Sequence, residues 1–376
     1  MKIAQFADSY KPYISGVTVS IETLVHELEK KGNQVKIFAP SYPGHHEKGP
    51  KIFRLPSLPT RYPNFRIAIP FYPKILKELA NVDIIHSHSP YQTGRMGMRL
   101  AKYLKIPYVY TFHTLFEEYI HYIPLLPKEF KKPIISAMIR NFCNQCSAII
   151  VPTPKIKDYL LSKKVNKPIE VIPTGIKTDL ISCADGALMR KFYEIEKDEV
   201  LLVYVGRLTE EKNIPFLLRS VARVLKKNKK IKFLIAATGP KEGHYRVQAE
   251  NLGISKQTIF AGQIKSPEIF NYYAAGDIFV FASTTETQGL VIAEAKAAGL
   301  PTVAVDAQGI NDVLIDGQDG FLVPQDENIF ADKVLHLIKN KPLRHKMAKI
   351  AGKNAQKLSA HHMANSILKI YKYLIK

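Results

Sequence analysis

The feature that most constrains the fold is a repeated alternation of short apolar runs with helix-spaced segments. The runs at Lys2–Asp8, Gln34–Pro40, Asp83–His88, Tyr108–His113 and Ala148–Thr153 have the length of buried strands. Between the first two, Val17, Ile21, Leu24, Val25 and Leu28 recur at helical spacing, and Gly32 stops the helix. Such alternation predicts a parallel sheet with helices on both faces. The series ends at Ile169–Ile176, and a loop of small and polar residues follows over 177–185. It then restarts at Val200–Arg207, Lys232–Thr238, Thr258–Gly262, Ile278–Ser283 and Pro301–Asp306. A chain of 376 residues exceeds one ordinary core. The fold class is therefore α/β, with two doubly wound domains facing across a cleft. Their expected bounds are 1–178 and 179–358, with a C-terminal helix over 359–376 that can cross back to the first domain. Ligands are expected at the carboxyl ends of the strands.

Composition narrows the partners. The chain carries 54 Lys and Arg against 33 Asp and Glu, a formal net charge of +21. That excess calls for an anionic partner, whether nucleic acid, an acidic membrane surface or a phosphorylated substrate. Residues 51–150 hold 14 basic and 5 acidic side chains, a net of +9, and seven more basic residues crowd Arg219–Lys232. Of three cysteines, Cys143 and Cys146 form a C-x-x-C with no second pair, so a structural zinc site is not expected. Reduced thiols fit a cytoplasmic protein. The N-terminus shows no apolar signal-peptide core, and no stretch is long and uncharged enough to span a bilayer.

Unusual residues follow the strands on the ligand side. In ADSYKPYISGV (Ala7–Val17), Gly16 opens a helix, where backbone N–H groups can approach an anion, although a plain turn also uses such a glycine. In VGRLTEEKN (Val205–Asn213), Arg207 ends a strand and Lys212 lies five residues on. Together they suit a diphosphate, the arginine as a fork and the lysine as a point charge. Pairing with Glu210 or Glu211 at the surface is the plainer alternative.

The stretch ETQGLVIAE places Glu286 before a helix start and Glu294 two turns inside it, about 80° apart around an ideal axis. Carboxylates bond vicinal hydroxyls, so Glu294 suits a ribose and Glu286 a hexose. The N–H groups of Gly289 and Leu290 lie between them for phosphates. A solvated helix face is the alternative.

These motifs together resemble the large retaining glycosyltransferase family 4, of the GT-B fold with two Rossmann-like domains. The E-x7-E is Glu286–Glu294, the G-R-x4-K is Gly206, Arg207 and Lys212, and the glycine loop is Gly16. FADSYKPYISGV, HSHSPYQTGRMG, YTFHTLFEEYIHYIP and ASTTETQGLVIAEA further resemble its diacylglycerol-glucosylating branch. Two departures stand out: Ser15 precedes Gly16 where many relatives have two glycines, and Thr238 occupies a position where Asp is common.

The resemblance implies transfer of a hexose, glucose from UDP-glucose, to diacylglycerol with retention, giving an α-glycosyl-diacylglycerol. The expected donor-binding set is Gly16, Arg207, Lys212, Ile264, Glu286, Gln288, Gly289, Leu290 and Glu294. Arg207, Lys212, Glu286 and the strand-end His113 would be catalytic. Fixed cations would stabilise the leaving diphosphate, so neither a metal nor another cofactor is expected. GDP-mannose or UDP-galactose as donor, and phosphatidylinositol, a glycolipid or a soluble sugar as acceptor, remain open. A nucleic-acid-binding protein, disfavoured because acids line the expected cleft, and a nucleotide-sugar epimerase are further alternatives.

A lipid acceptor would demand a membrane surface. Ile134, Ile135, Met138, Ile139 and Phe142 cover one helical face, flanked by Lys128, Lys131, Lys132 and Arg140. A basic amphipathic helix of this kind can lie in an anionic interface. The expected membrane-binding set is Lys128, Lys131, Lys132, Ile135, Met138 and Arg140, and the expected location is peripheral, on the cytoplasmic face. RYPNFRIAIPFYPK (Arg61–Lys74) can join it. A helix packed on its own sheet is the alternative.

Overall fold

The computed structural model describes residues 1–13, 15–45, 51–60, 66–70, 72–113, 128–286, 288–307 and 309–376, with the side chains of 72 and 128–132 outside the description. The chain divides into two compact units, Met1–Gly175 with Ala360–Lys376, and Ile176–Ser359. The first boundary falls three residues before the one expected from sequence.

Unit 1 is built on strands β1 (Lys2–Phe6), β2 (Gln34–Pro40), β3 (Ile52–Leu55), β6 (Ile84–Ser87), β7 (Tyr108–Thr111), β8 (Ala148–Val151) and β9 (Ile169–Val171). They form a parallel sheet in the order β3-β2-β1-β6-β7-β8-β9. A small antiparallel pair, β4 (Ser57–Pro59) with β5 (Arg66–Ala68), lies outside it. The helices of this unit are α1 (Gly16–Lys30), α2 (Tyr72–Glu78), α3 (Gln92–Leu104), α4 (Lys128–Cys143) and α5 (Pro154–Ser162), joined from the far end of the chain by α14 (Ala360–Ile375).

Alternate strand residues face opposite helical layers, as the two-residue period requires. Ile3, Ile37, Ile84, Val109 and Ile150 pack with α1 and α14. Ala4, Phe38, Ile85, Tyr110 and Ile149 pack with α3, α4 and α5 on the other side. Gly175 permits the approach of α14, because a Cβ there would lie 2.5 Å from the Cα of Ala360.

Unit 2 repeats the plan with β10 (Val200–Arg207), β11 (Ile231–Thr238), β12 (Thr258–Phe260), β13 (Ile278–Phe281), β14 (Thr302–Val305) and β15 (Gly320–Val323). They form a parallel sheet in the order β12-β11-β10-β13-β14-β15. Its helices are α6 (Thr178–Ser182), α7 (Gly186–Phe192), α8 (Ile214–Leu225), α9 (Glu242–Asn251), α10 (Ile269–Ala275), α11 (Leu290–Ala297), α12 (Glu327–Lys339) and α13 (Lys341–Ala355).

Both sheets have the two-way winding that the alternation predicts. The sequence reading missed β3 and β15, which are short edge strands, and α6, which occupies part of the expected loop. In each sheet the strand order reverses once, between β1 and β6 in unit 1 and between β10 and β13 in unit 2. Successive connections leave in opposite directions there and open a crevice at the carboxyl ends.

A buried ion pair holds α11 in unit 2. Lys296 and Asp319 are 2 % and 0 % exposed, with Nζ and Oδ2 2.7 Å apart. Lys296 also donates to the Val313 carbonyl. Asp319 accepts from the Ile315 N–H and from Asn354 of α13, each at 2.8 Å. Both charges thus have hydrogen-bond partners besides each other, which offsets part of the cost of desolvating them. Removing one partner leaves the other charge buried, so Lys296→Met should lower stability by about 3–5 kcal/mol in urea denaturation. A loss below about 1 kcal/mol would show that the pair does not secure α11.

Candidate functional site

The reversal in unit 2 gathers most of the residues expected to bind the donor. Arg207 closes β10, and the chain then turns through Glu210–Lys212 to Asn213, whose φ is 53°. The loop after β13 is tied to this turn, because Ser283 Oγ and the Thr284 N–H both donate to the Glu211 carbonyl, at 3.1 and 3.2 Å. The tie brings Lys212 against Glu286. Their side chains are 13 % and 14 % exposed and form an ion pair. Lys212 Nζ also lies 5.8 Å from the centre of the Phe281 ring. Arg207 is 68 % exposed and pairs with Glu211 at 3.3 Å. The plain surface pairing weighed in the sequence therefore holds for Arg207 and not for Lys212.

Gly289 ends the loop at φ 67°, a conformation costly for any residue with a Cβ, and α11 starts at Leu290. This helix start turns N–H groups outward beside Glu286. Gln288 and Gly289 are buried and Leu290 is half-buried. About one turn further, the half-buried Glu294 accepts a 2.8 Å hydrogen bond from the Tyr273 hydroxyl of α10. Burial pushes its carboxyl up to about 7, against the opposing effects of Tyr273 and the Lys177 charge. Tyr273 is fully buried and its own proton is held well beyond the usual phenol range, so it remains a donor. Ile264 is half-buried in the segment after β12 and packs on the unit 2 core.

In unit 1, Gly16 is the first residue of α1, capped by Ser15 Oγ accepting from the Thr18 N–H at 3.2 Å. A Cβ at Gly16 would meet nothing within 4 Å, so the described structure does not itself require glycine there. His113 lies two residues beyond β7 and is half-buried. Its Nε2 is 2.9 Å from Nδ1 of His88, and burial pushes its imidazole down to about 4. Sequence reasoning assigned no role to His88, to His86 before it or to Tyr273. The spacing of His86 and His88, two residues apart at the end of the run Asp83–His88, was the available signal for the first two.

The expected membrane set requires a correction. Ile135 is 6 % exposed and packs in the unit 1 core with Ile139 and Phe142. The apolar stripe of α4 therefore covers its own sheet, and Ile134, at 54 %, is the residue facing outward. Met138 and Arg140 are half-buried. The side chains of Lys128, Lys131 and Lys132, and residues 61–65 and 71 of the second basic stretch, lie outside the described residues. A groove of about 380 Å³ runs beside α4, lined by Met138, Asn141 and Gln145 and by Arg95, Arg99 and Lys102 of α3. No helix of the described residues is long and apolar enough to cross a membrane. Cys143 and Cys146 are buried free thiols, and burial holds both above the usual thiol range.

Comparison with known proteins decides the family. Residues 14–180 match the family described as Glycosyltransferase Family 4, and residues 187–354 match Glycosyl transferases group 1. An alpha-monoglucosyldiacylglycerol synthase of Streptococcus pneumoniae is 35 % identical over 332 residues, covering 86 % of this chain and 75 % of that protein. The chain belongs to glycosyltransferase family 4. A second alpha-monoglucosyldiacylglycerol synthase, from Acholeplasma laidlawii, is 29 % identical over all of this glycosyltransferase and 98 % of its own length. Anabaena Alr3699/HepE, solved in complex with UDP, superimposes with a TM-score of 0.80 over 100 % of both chains at 19 % identity. That likeness assigns this family 4 enzyme the GT-B fold.

The raised carboxyl of Glu294 has a signed consequence. Between pH 4.5 and 7 the folded chain keeps a proton that the unfolded chain releases, so this group makes stability fall as pH rises through that window. Glu294→Gln should therefore gain on the parent as pH goes from 4.5 to 7.5 in paired urea denaturations. A constant difference would show that Glu294 ionises normally in the fold.

Proposed function

We propose that this glycosyltransferase moves glucose from UDP-glucose to diacylglycerol at a membrane surface, with retention of the α-configuration. The observation that carries the reading is that the Streptococcus and Acholeplasma relatives, similar over most or all of this chain, are both alpha-monoglucosyldiacylglycerol synthases. The UDP complex of the structurally similar Anabaena protein supports a uridine nucleotide.

In this reading the unit 2 reversal holds the donor. Glu294, fixed by Tyr273, accepts from the ribose hydroxyls. The α11 start, Arg207 and Lys212 take the diphosphate, and Glu286 takes the sugar. Lys212 is already oriented by Glu286, so the cation needs little reorganisation when charge develops on the leaving group. The bond from the anomeric carbon to the diphosphate oxygen breaks, and the acceptor hydroxyl attacks from the same face. Its proton passes to the departing diphosphate. His113 contacts the hydroxyls in this exchange. Arg140, the α4 lysines and the basic groove along α3 meet anionic lipid, where each cation near the surface contributes about 1 kcal/mol.

A donor screen on vesicles containing diacylglycerol tests the substrates. UDP-glucose should yield monoglucosyldiacylglycerol, and turnover only with another nucleotide-sugar or a water-soluble acceptor overturns the assignment. Arg207→Ala and Lys212→Ala should each lower kcat more than about tenfold. Glu294→Ala should weaken UDP binding in calorimetry, and unaltered affinity removes it from the ribose site. Replacing Lys131, Lys132 and Arg140 together should abolish sedimentation with anionic vesicles while UDP affinity stays unchanged.

A further inference from the structure

The reversal in unit 1 carries a buried polar chain that the donor site does not use. Strand register sets Gln5 of β1 beside His86 of β6, and His86 beside Val109 of β7. Gln5, His86 and Thr111 share the sheet face that meets α14. Gln5 and His86 are fully buried and His88 is 4 % exposed. Tyr371 of α14, also fully buried, inserts its hydroxyl among them. It bonds His86 Nδ1, while His86 Nε2 lies 2.6 Å from Thr111 Oγ1. Gln5 Nε2 donates to the Tyr371 hydroxyl at 3.4 Å, and Gln5 Oε1 lies 2.7 Å from His88 Nε2. His88 Nδ1 then lies 2.9 Å from His113 Nε2. The His86 and His88 rings stack at 4.5 Å, and those of His88 and His113 at 5.2 Å.

The direction of these bonds follows from the amide. A carbonyl oxygen only accepts, so His88 Nε2 carries the proton. Burial holds all three imidazoles neutral at pH 7, with His86 pushed down to about 3 and His88 well below its ordinary value. A neutral ring has one N–H. His88 Nδ1 is then an acceptor, and His113 Nε2 must donate to it. The proton of His113 is thereby assigned to Nε2, and its Nδ1 is left as a bare lone pair.

We propose that His88, held by Gln5 and through it by Tyr371 of the C-terminal helix, is the positioning residue of this glycosyltransferase: it locks the His113 ring and leaves Nδ1 to accept from a substrate hydroxyl. The proposal rests on the reading above in which His113 meets those hydroxyls. It also gives the last helix a task besides covering the sheet, since Tyr371 sets the orientation of Gln5.

Two measurements test it. In the intact protein labelled with ¹⁵N-histidine, long-range ¹H–¹⁵N correlation should show His113 protonated at Nε2 and bare at Nδ1. A proton on Nδ1 overturns the proposal, and this spectrum needs no substrate. With UDP-glucose and diacylglycerol vesicles, His88→Leu should lower kcat about tenfold to a hundredfold, with donor KM and UDP affinity within about twofold of the parent. Adding His88→Leu to His113→Ala should cost nothing further, because one residue acts through the other. His88→Asn, which keeps an acceptor where Nδ1 was, should recover most of the rate. Full activity in His88→Leu, or additive losses in the double variant, overturns the positioning role. Full activity in His113→Ala removes His113 from the reaction and the proposal with it, whereas a slow His113→Ala beside a normal His88→Leu overturns the proposal alone.

Discussion

Everything in this molecule depends on strands that run parallel and are covered on both faces. A parallel ladder cannot be closed by tight turns, so each connection must cross over the sheet, and helices occupy both sides. Side chains along the strand middles are then mostly apolar, and the point where successive crossovers part is where the strand ends open. Gln5 and His86 flank that point in unit 1, as Arg207 and the loop to Glu286 do in unit 2. The position of the crevice is a consequence of winding before it is a consequence of any particular residue.

The two reversals satisfy their buried polar atoms in different ways. Unit 2 uses charge: Lys212 against Glu286 at the opening and Lys296 against Asp319 beneath it. A cation held by an acid in advance already has its orientation. Unit 1 joins neutral groups through Gln5, Tyr371 and three histidines, beside the buried Asp8, which accepts from the Ser89 hydroxyl and the Thr93 N–H. Neutral hydrogen bonds carry direction without a field, and their direction is decided by the amide, which has one accepting end and one donating end. A substitution of Gln5 therefore acts on every bond downstream, although the residue itself is fully buried.

The architecture was legible in the sequence because the two-residue and 3.6-residue periods write burial directly into the order of residues. Short edges were not, because four residues such as Ile52–Leu55, with Arg54 inside, carry too little pattern. Glu286, Lys212 and Glu294 could be chosen from residue type and position after a strand. The partner of Lys212 could not: the left-handed Asn213 and the bonds from Ser283 and Thr284 turn it away from the neighbouring acids. Tyr371 lies 366 residues from Gln5, and no local pattern links them. Ile135 shows the opposite difficulty. An apolar stripe says that a helix face is covered, and says nothing of whether a sheet or a bilayer covers it.

That correction redirects the question of charge. Of the seven basic residues at Arg219–Lys232, four are paired within unit 2: Arg219 and Arg223 with Glu327, Lys230 with Asp198 and Lys232 with Glu199. Pairs of this kind add little stability, but each lowers the local field. Along α3 the situation differs. Arg95, Arg99 and Lys102 stand on one exposed helical stripe, and among the described residues none of them faces an acid. An anionic surface is drawn by uncancelled charge, and its attraction decays within about 8 Å at physiological salt. Arg95, Arg99 and Lys102 belong to the basic excess of residues 51–150, and they are a part of it that the described structure leaves without an acidic neighbour.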